Sequence, residues 1–402
     1  MKTSSNKQSA RSIDHGRSMS VAGLFAGIGG IELGLQQNGH HTELLCELDP
    51  WATAVLERGF PEVTLHPDIT TLKSLPRVDL VTAGFPCQDI SLAGTRAGLD
   101  GSRSGLVGDV FRLIRKAKPE AVILENVHHL LKLRSGANLQ AILDEFEYQG
   151  YRWAYRVVDS RGFGLPQRRQ RVIILASRGD IEPSSVLFAD AVDPDIDDSV
   201  VLEAGHRYGF YWTEGKRGIG WARDAVPTIK GGSGLGIPSP TAVFDTVSGL
   251  AGTPTIRDAE RMQGFQSDWT DVTLDDATIR PGSRWRLVGN AVSVPVGEWL
   301  GRRLAHPLAA SDEALLTPLS EKRAWPSAAM LRDGQRFAVS ISSHVETRAH
   351  VPINQFLSEP LKLLSTRALR GYLNRATTGT KKFPSGFLEA LSRQADEQSE
   401  AA

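Results

Sequence analysis

Between residues 21 and 176, short apolar runs alternate with amphipathic stretches, which confines the chain to an α/β architecture with a parallel sheet joined by crossover helices. Strands are expected at 21–25, 42–46, 78–83, 121–125 and 171–176, and helices between them, including 109–116 and 138–149. The pattern leaves strand order open. Past Ser177 the periodicity fades, and Gly, Pro and Ser dominate from Lys230 to Pro254, so a loop-rich unit with short strands should follow. A helical pattern resumes at 294–304 and suits a return to the first unit. At 402 residues the chain has room for both and an appendage. The expected partition is a disordered tail at 1–19, a first domain at 20–176 plus 282–305, a second at 177–281, and an extension of unknown role at 306–402. From about Pro307 the extension reads as its own small α/β unit, with a strand at 336–341 and a helix opening at Ser365.

Hydrophobic residues make up 41% of the chain, yet no window approaches the roughly 20 apolar residues of a spanning helix, so insertion into a bilayer is not expected. The polar, Ser-rich first residues, with Lys2, Lys7, Arg11 and Arg17, lack the apolar centre of a secretion signal. Two cysteines, Cys46 and Cys87, supply neither a disulfide framework nor a thiolate cluster for zinc, which fits a reducing cytoplasm. Lys plus Arg and Asp plus Glu number 46 each, without the basic excess usual in proteins that grip phosphates. Charge is nevertheless segregated. Arg168, Arg169, Arg171 and Arg178 crowd one stretch, and Asp190, Asp193, Asp195, Asp197 and Asp198 another.

The run Leu24-Phe25-Ala26-Gly27-Ile28-Gly29-Gly30 follows a strand and opens a helix, a turn whose glycines let a ligand approach the backbone. Its spacing is not G-x-G-x-x-G, and such a turn is about as often structural as ligand-binding. Glu47, twenty positions past Gly27, adds an acid able to accept both hydrogen bonds of a ribose diol, and Asp68 closes the next segment similarly. A ribose-bearing cofactor is the favoured reading, with solvated loop acids the alternative. Gly84-Phe85-Pro86-Cys87-Gln88 follows the strand at 78–83, at the carboxyl edge where α/β sheets place their chemistry. A lone cysteine is most often a small buried hydrophobe, so Cys87 gains meaning only from its neighbours.

Those neighbours continue as an ordered series: Glu125-Asn126-Val127, Gln167-Arg168-Arg169-Gln170-Arg171, Arg261-Met262-Gln263-Gly264-Phe265 and Gly289-Asn290-Ala291-Val292. With the two earlier motifs, the series spans residues 20–305 and resembles the signatures of C5-cytosine-specific DNA methyltransferases of the bacterial restriction-modification type. The resemblance implies a Rossmann-like S-adenosyl-methionine-dependent methyltransferase domain, a smaller loop-rich target-recognition domain and the C-terminal extension. Carbon 5 of cytosine is a poor nucleophile until carbon 6 accepts a thiolate, and Cys87 would supply it. Glu125 would hydrogen-bond N3 and the exocyclic amine as charge develops. Arg171 would contact the base and Arg169 brace the loop carrying Cys87, both helping to lower the thiol's pKa from its free value of about 8.5.

By the same resemblance S-adenosyl-methionine, leaving as S-adenosyl-homocysteine, would be held by Phe25, Gly27, Gly29, Gly30, Glu47, Asp68, Phe85, Pro86, Leu106, Asn290 and Val292, with no metal. Two positions depart from the family: Gly23 stands where Asp or Ser is frequent, and Leu48 where an aromatic is. A target cytosine must leave the duplex stack, and the Gly-rich stretch 91–103 has the composition of a lid. DNA contacts are expected from Gln88, Ser91 and Arg103, and from Thr228 and Ile229, which resemble the family's Thr-Leu pair. The variable segment 177–255 would read the target through Arg207, Tyr208, Tyr211, Trp212, Lys216, Arg217, Trp221, Arg223 and Lys230, although each aromatic could equally fill a core. Arg367, Arg370 and Arg375 in the extension would touch flanking phosphates or simply face solvent. The implied setting is a monomer acting on double-stranded DNA in the bacterial cytoplasm, at the nucleoid, with a cognate restriction endonuclease working separately and no membrane.

The nearest rival is an RNA cytosine-5 methyltransferase, but such enzymes usually read Pro-Pro-Cys-Gln and this chain contains no Pro-Pro. The missing Pro-Pro-aromatic motif also disfavours transfer to an exocyclic amine. A non-catalytic DNA-binding homologue would be expected to lose the thiol or the acid, and a nucleotide-dependent oxidoreductase has no need of Arg169 and Arg171 beside Glu125.

Overall fold

The computed structural model describes residues 16–86, 105–193, 201–216, 218, 220–232, 240–308, 315–319, 324–345 and 347–401. The first half contains β1 (Ser20–Leu24), α1 (Gly30–Gln36), β2 (His41–Cys46), α2 (Pro50–Gly59), β3 (Thr64–His66), β4 (Leu80–Ala83), α3 (Leu106–Ala117), β5 (Ala121–Val127), α4 (Ala137–Tyr148), β6 (Arg152–Asp159), β7 (Gln167–Arg168) and β8 (Gln170–Ser177). The middle adds α5 (Pro183–Leu187), β9 (Arg207–Phe210), β10 (Trp221–Arg223), β11 (Val226–Pro227), β12 (Ala242–Asp245), β13 (Leu250–Thr253), α6 (Ile256–Arg261), β14 (Thr273–Leu274), β15 (Ala277–Thr278), α7 (Pro281–Asn290) and α8 (Val294–Ala305). The chain ends with β16 (Leu316–Pro318), β17 (Ala328–Arg332), β18 (Gln335–Val339), β19 (Lys362–Leu363), α9 (Thr366–Thr377) and α10 (Phe387–Glu400).

Ten strands form the main sheet in the order β16-β18-β17-β6-β8-β5-β4-β1-β2-β3. The five from β3 to β5 are parallel, and their buried residues alternate between faces with the period of two that a strand imposes. Ala22, Val81 and Val122 pack with α3 and α4, whereas Val21, Leu80 and Ile123 pack with α1 and α8. Each fully buried Val, Leu or Ile contributes about 1.5–3 kcal/mol to this closure. The order reverses between β1 and β4, so the loops after these strands emerge side by side at a topological switch point, where the Gly84 amide donates to Leu24 O at 3.4 Å.

Parallel pairing stops at β5. The strand expected at 171–176 lies in β8 and runs antiparallel to β5 and β6, which corrects the all-parallel expectation. The sequence pattern missed β6 because Arg156 interrupts its apolar run. That guanidinium is fully buried and satisfied by the carbonyls of Leu187, Ala189, Ser342 and His344.

The C-terminal extension is not a unit of its own. Through β17 its strands join β6 of the main sheet, while β19, α9 and α10 complete the second sheet, ordered β10-β9-β12-β13-β19. Four short strands and two helices bury too little alone, and each apolar face finds an existing sheet. The second core therefore mixes Tyr208, Phe210, Trp221 and Phe244 with Leu369, Tyr372, Phe387 and Leu391. At the other end the expected tail is anchored from residue 16 onward, since Arg17 pairs with Glu120 and Met19 is fully buried; residues 1–15 lie outside the described residues. No helix among the described residues is long and apolar enough to cross a membrane.

Candidate active site

The loops after β1, β2 and β4, the end of β5 and the C-terminal turn of α7 enclose a cavity of about 1150 Å³. At its floor Gly27 adopts φ +57°, with nothing within 4 Å of where a Cβ would stand. Its amide donates to Glu47 Oε2 at 2.8 Å, and the Asp49 amide donates to Glu47 Oε1 at 2.8 Å. Burial pushes the Glu47 carboxyl above its usual range against these two bonds. Asp68 accepts from the Thr70 amide and hydroxyl, both at 2.8 Å, which hold its carboxyl below the usual range.

Phe25, Gly27, Glu47, Asp68, Phe85, Pro86, Leu106 and Asn290 all line this cavity, but Gly29, Gly30 and Val292 do not. Those three have packing neighbours in the structure. A Cβ on Gly29 would stand 2.4 Å from the Phe60 ring, and one on Gly30 2.1 Å from Val292 O, so these glycines let α1 seat behind the cavity. The remaining set fits a nucleoside-bearing cofactor, because open space above Gly27 adjoins an acid with lone pairs to spare and apolar walls at Ile28, Ile69 and Phe85.

Glu125 and Arg171 meet inside the same cavity. Val127 is opposite Arg171 in the β5–β8 ladder and Glu125 is opposite Ile173, so the acid and the guanidinium are diagonal neighbours on one face. Arg171 Nε lies 2.8 Å from Glu125 Oε1, with the two side chains 11% and 10% exposed. Burial lowers the Arg171 pKa and Glu125 opposes that shift. Between them and the β4 loop, Asn126 is buried and donates to Phe85 O at 2.9 Å, which fixes the segment leading to Cys87. Cys87, Gln88, Ser91 and Arg103, and the expected lid at 91–103, lie outside the described residues. Of the two cysteines, Cys46 is buried, and burial with the nearby Glu47 and Asp68 pushes its thiol up to about 12, far from a nucleophile's range.

Arg169 does not line this cavity, and the Cys87 loop it is expected to brace lies outside the described residues. Arg169 is buried beneath the segment that carries Ile229, donating to Ile229 O at 3.0 Å, Gly289 O at 3.2 Å and Ala291 O at 2.6 Å. Burial first, and the adjacent Arg171 charge second, drive its pKa well down. Around it Gln167 accepts from the Ile229 amide at 2.9 Å and donates to Met262 O at 3.1 Å, and Ser293 donates to Gln263 Oε1 at 2.6 Å. Gln167, Arg169, Gln263 and Ser293 thus form a polar hub that joins three distant segments, while Arg171 and Asn290 of the same motifs face the cavity.

Thr228 and Ile229, just after β11, also line the cavity, with Ile229 itself buried. Tyr208 and Trp221 fill the second core, Arg207 pairs with Asp245 at 3.0 Å, and Arg223 pairs with Glu203 at 2.7 Å. Arg375 donates to Trp212 O at 2.6 Å and Glu214 O at 3.0 Å, so it ties α9 to this segment instead of reaching outward. Arg286 carries no motif signal, yet it lines the cavity one turn before Asn290 and pairs with Asp49 at 2.8 Å.

A doubly wound sheet with a cofactor-sized cavity at its switch point defines a Rossmann-like fold with a ligand site where such folds place one. Residues 19–201 match the family model for C-5 cytosine-specific DNA methylase. The chain is 48% identical over 391 residues to the Type II methyltransferase M2.BsuMI of Bacillus subtilis (strain 168), covering 94% of this chain and 99% of that one. It is 30% identical over 308 residues to the Type II methyltransferase M.Bsp6I of Bacillus sp. (strain RFL6), covering 69% of this chain and 96% of that one. The chain belongs to the C-5 cytosine-specific DNA methylase family, as its six motifs imply.

Proposed function

We propose that this protein methylates carbon 5 of a cytosine within a short duplex DNA sequence, as the modification enzyme of a restriction-modification system in the bacterial cytoplasm. The observation that carries the reading is the buried Glu125–Arg171 pair, 2.8 Å apart in the cavity that also holds Gly27, Glu47 and Asn290. In this account the Cys87 thiolate forms a bond to carbon 6 of the extruded base, and the C5–C6 π electrons move to carbon 5. Glu125 holds the proton at N3 and accepts from the exocyclic amine, stabilising the ring as it gains charge. Arg171 keeps Glu125 oriented and adds a fixed positive charge beside it. Gly27, Glu47 and Asn290 would hold S-adenosyl-methionine, which would supply an electrophilic methyl to carbon 5 and leave as S-adenosyl-homocysteine. Water admitted to the cavity then takes the carbon 5 proton, the C5–H electron pair re-forms the C5–C6 double bond, and the C6–S bond breaks to return the thiolate. Genome-wide bisulfite sequencing of a methylation-free host expressing the chain tests this, with Cys87→Ser in parallel. Protection at one short motif, lost in the variant, is expected; uniform conversion with soluble protein would reject the reading.

A further inference from the structure

The reaction uses the cavity floor and leaves its recognition-side rim without a role. There, Lys230 follows Thr228 and Ile229, and among the described basic residues of the segment 177–255 it alone lines the cavity. Its Nζ is 3.1 Å from Glu214 Oε1 and 4.1 Å from the centre of the Tyr211 ring, and the side chain is 37% exposed. Its root is rigid: a Cβ on Gly289 of α7 would stand 2.1 Å from the Lys230 carbonyl carbon. Tyr211 is fixed too, donating its hydroxyl to Thr228 O at 2.6 Å. The neighbouring cations are committed elsewhere, Arg207 to Asp245 and Arg223 to Glu203.

We propose that Lys230 is a phosphate-contacting residue held in reserve by Glu214, released when duplex DNA docks and then bound to the phosphodiester beside the extruded cytosine. The inference rests on the proposed function. A partly exposed lysine–carboxylate pair holds weakly. Neutralising one DNA phosphate instead releases condensed counterion and adds about 0.9 to the salt slope of binding. The Tyr211 face favours a cation and keeps the ammonium at the cavity mouth. Both groups that hold the ammonium, Glu214 and Tyr211, come from the recognition unit and not from the β1 and β2 loops that carry Gly27 and Glu47, which places it with DNA and not with the cofactor. Until Lys230 moves, Glu214 also repels an approaching phosphate.

The test is fluorescence anisotropy with a duplex bearing the motif found by bisulfite sequencing, across a salt series, on the full chain. Lys230→Met should reduce the slope of log affinity against log salt by about 0.9, and Lys230→Arg should restore it. Glu214→Gln should bind the duplex more tightly than wild type, with a smaller gain when Lys230→Met is also present. S-adenosyl-methionine affinity without DNA should be unchanged in a Lys230→Met protein that melts like wild type. An unaltered salt slope, or an effect confined to the cofactor, overturns the Lys230 role while wild-type methylation stands. A wild type that methylates no duplex fails at the earlier step and takes both readings with it.

Discussion

Glu125 and Arg171 sit diagonally across the β5–β8 ladder with Nε 2.8 Å from Oε1, which joins the acid that would protonate the base to the cation that orients it. Glu125→Gln keeps an acceptor for Arg171 but removes the proton-holding carboxylate. Single-turnover methyl transfer should slow by about 10²–10⁴-fold, with a much smaller change in melting temperature. A variant within tenfold of wild type would remove Glu125 from the chemistry.

Arg169 and Arg171 are two positions apart and should fail differently. Arg169→Met strips the donors from three buried carbonyls, at about 1–3 kcal/mol for each left unsatisfied. Its melting temperature should drop and its KM for DNA rise. Arg171→Lys keeps the charge beside Glu125 but loses the Nε contact, so kcat should fall while melting stays near wild type. Thermal unfolding and steady-state kinetics on both variants separate the two roles.

The cysteines offer a cleaner contrast. With the Cys46 thiol buried and pushed up to about 12, iodoacetamide near pH 8 should label the folded protein at Cys87 and spare Cys46 until denaturant is added. Peptide mapping reads this directly, and Cys46→Ala should retain methyl transfer.

Beneath the cofactor loop, Glu32 is 2% exposed and accepts from Thr82 Oγ at 2.6 Å. A Cβ on Gly23 would stand 2.5 Å from Glu32 Oε1, so glycine at this position, where the family often has Asp or Ser, makes room for the acid. Burial pushes the Glu32 carboxyl up despite the Thr82 bond, so the folded chain holds this proton more tightly than the unfolded one. Its stabilising contribution is full below the unfolded value of about 4.3 and is lost as pH rises through the raised folded value. Glu32→Gln should therefore gain melting temperature relative to wild type between about pH 5 and about pH 8. A constant difference across that window would contradict the assignment.

Because the second sheet, proposed to read DNA, shares its core with α9 and α10, the extension is expected to be indispensable for that reading. Phe387→Ala removes a fully buried ring stacked on Phe383 and packed against Phe210 and Phe244, at about 3–5 kcal/mol. Gln394 adds two hydrogen bonds to the Ala251 backbone, at 2.7 and 3.0 Å. Truncation after residue 352 should abolish specific DNA binding, measured by anisotropy against target and scrambled duplexes. Retained specificity would show that the sheet stands without its helices.

The sequence carried the parallel half of the fold because β1, β4 and β5 are short apolar runs with local turn signals, and the motifs singled out Gly27, Glu47, Phe85, Glu125 and Arg171, which line one cavity. It could not distinguish cavity glycines from packing ones, since Gly27 and Gly30 differ only in what faces them, open space or Val292 O. Arg156 hid β6 by placing a charge in a buried strand. The split of the extension between two sheets was invisible because Gly252 pairs with Leu363, and Tyr155 with Ala329, across more than a hundred residues each. Aromatic residues at Tyr208 and Trp221 read equally as base contacts or core, and packing decides for core.

The most direct test is mass spectrometry of the enzyme incubated with S-adenosyl-methionine and a duplex carrying 5-fluorocytosine at the target position. Fluorine cannot leave as a proton does, so the thioether formed at carbon 6 has no route to release after methyl transfer. The account predicts a stable one-to-one protein–DNA adduct that depends on cofactor and maps to the peptide containing Cys87. Absence of an adduct on a duplex whose unsubstituted form is methylated, or an adduct at another residue, would contradict it.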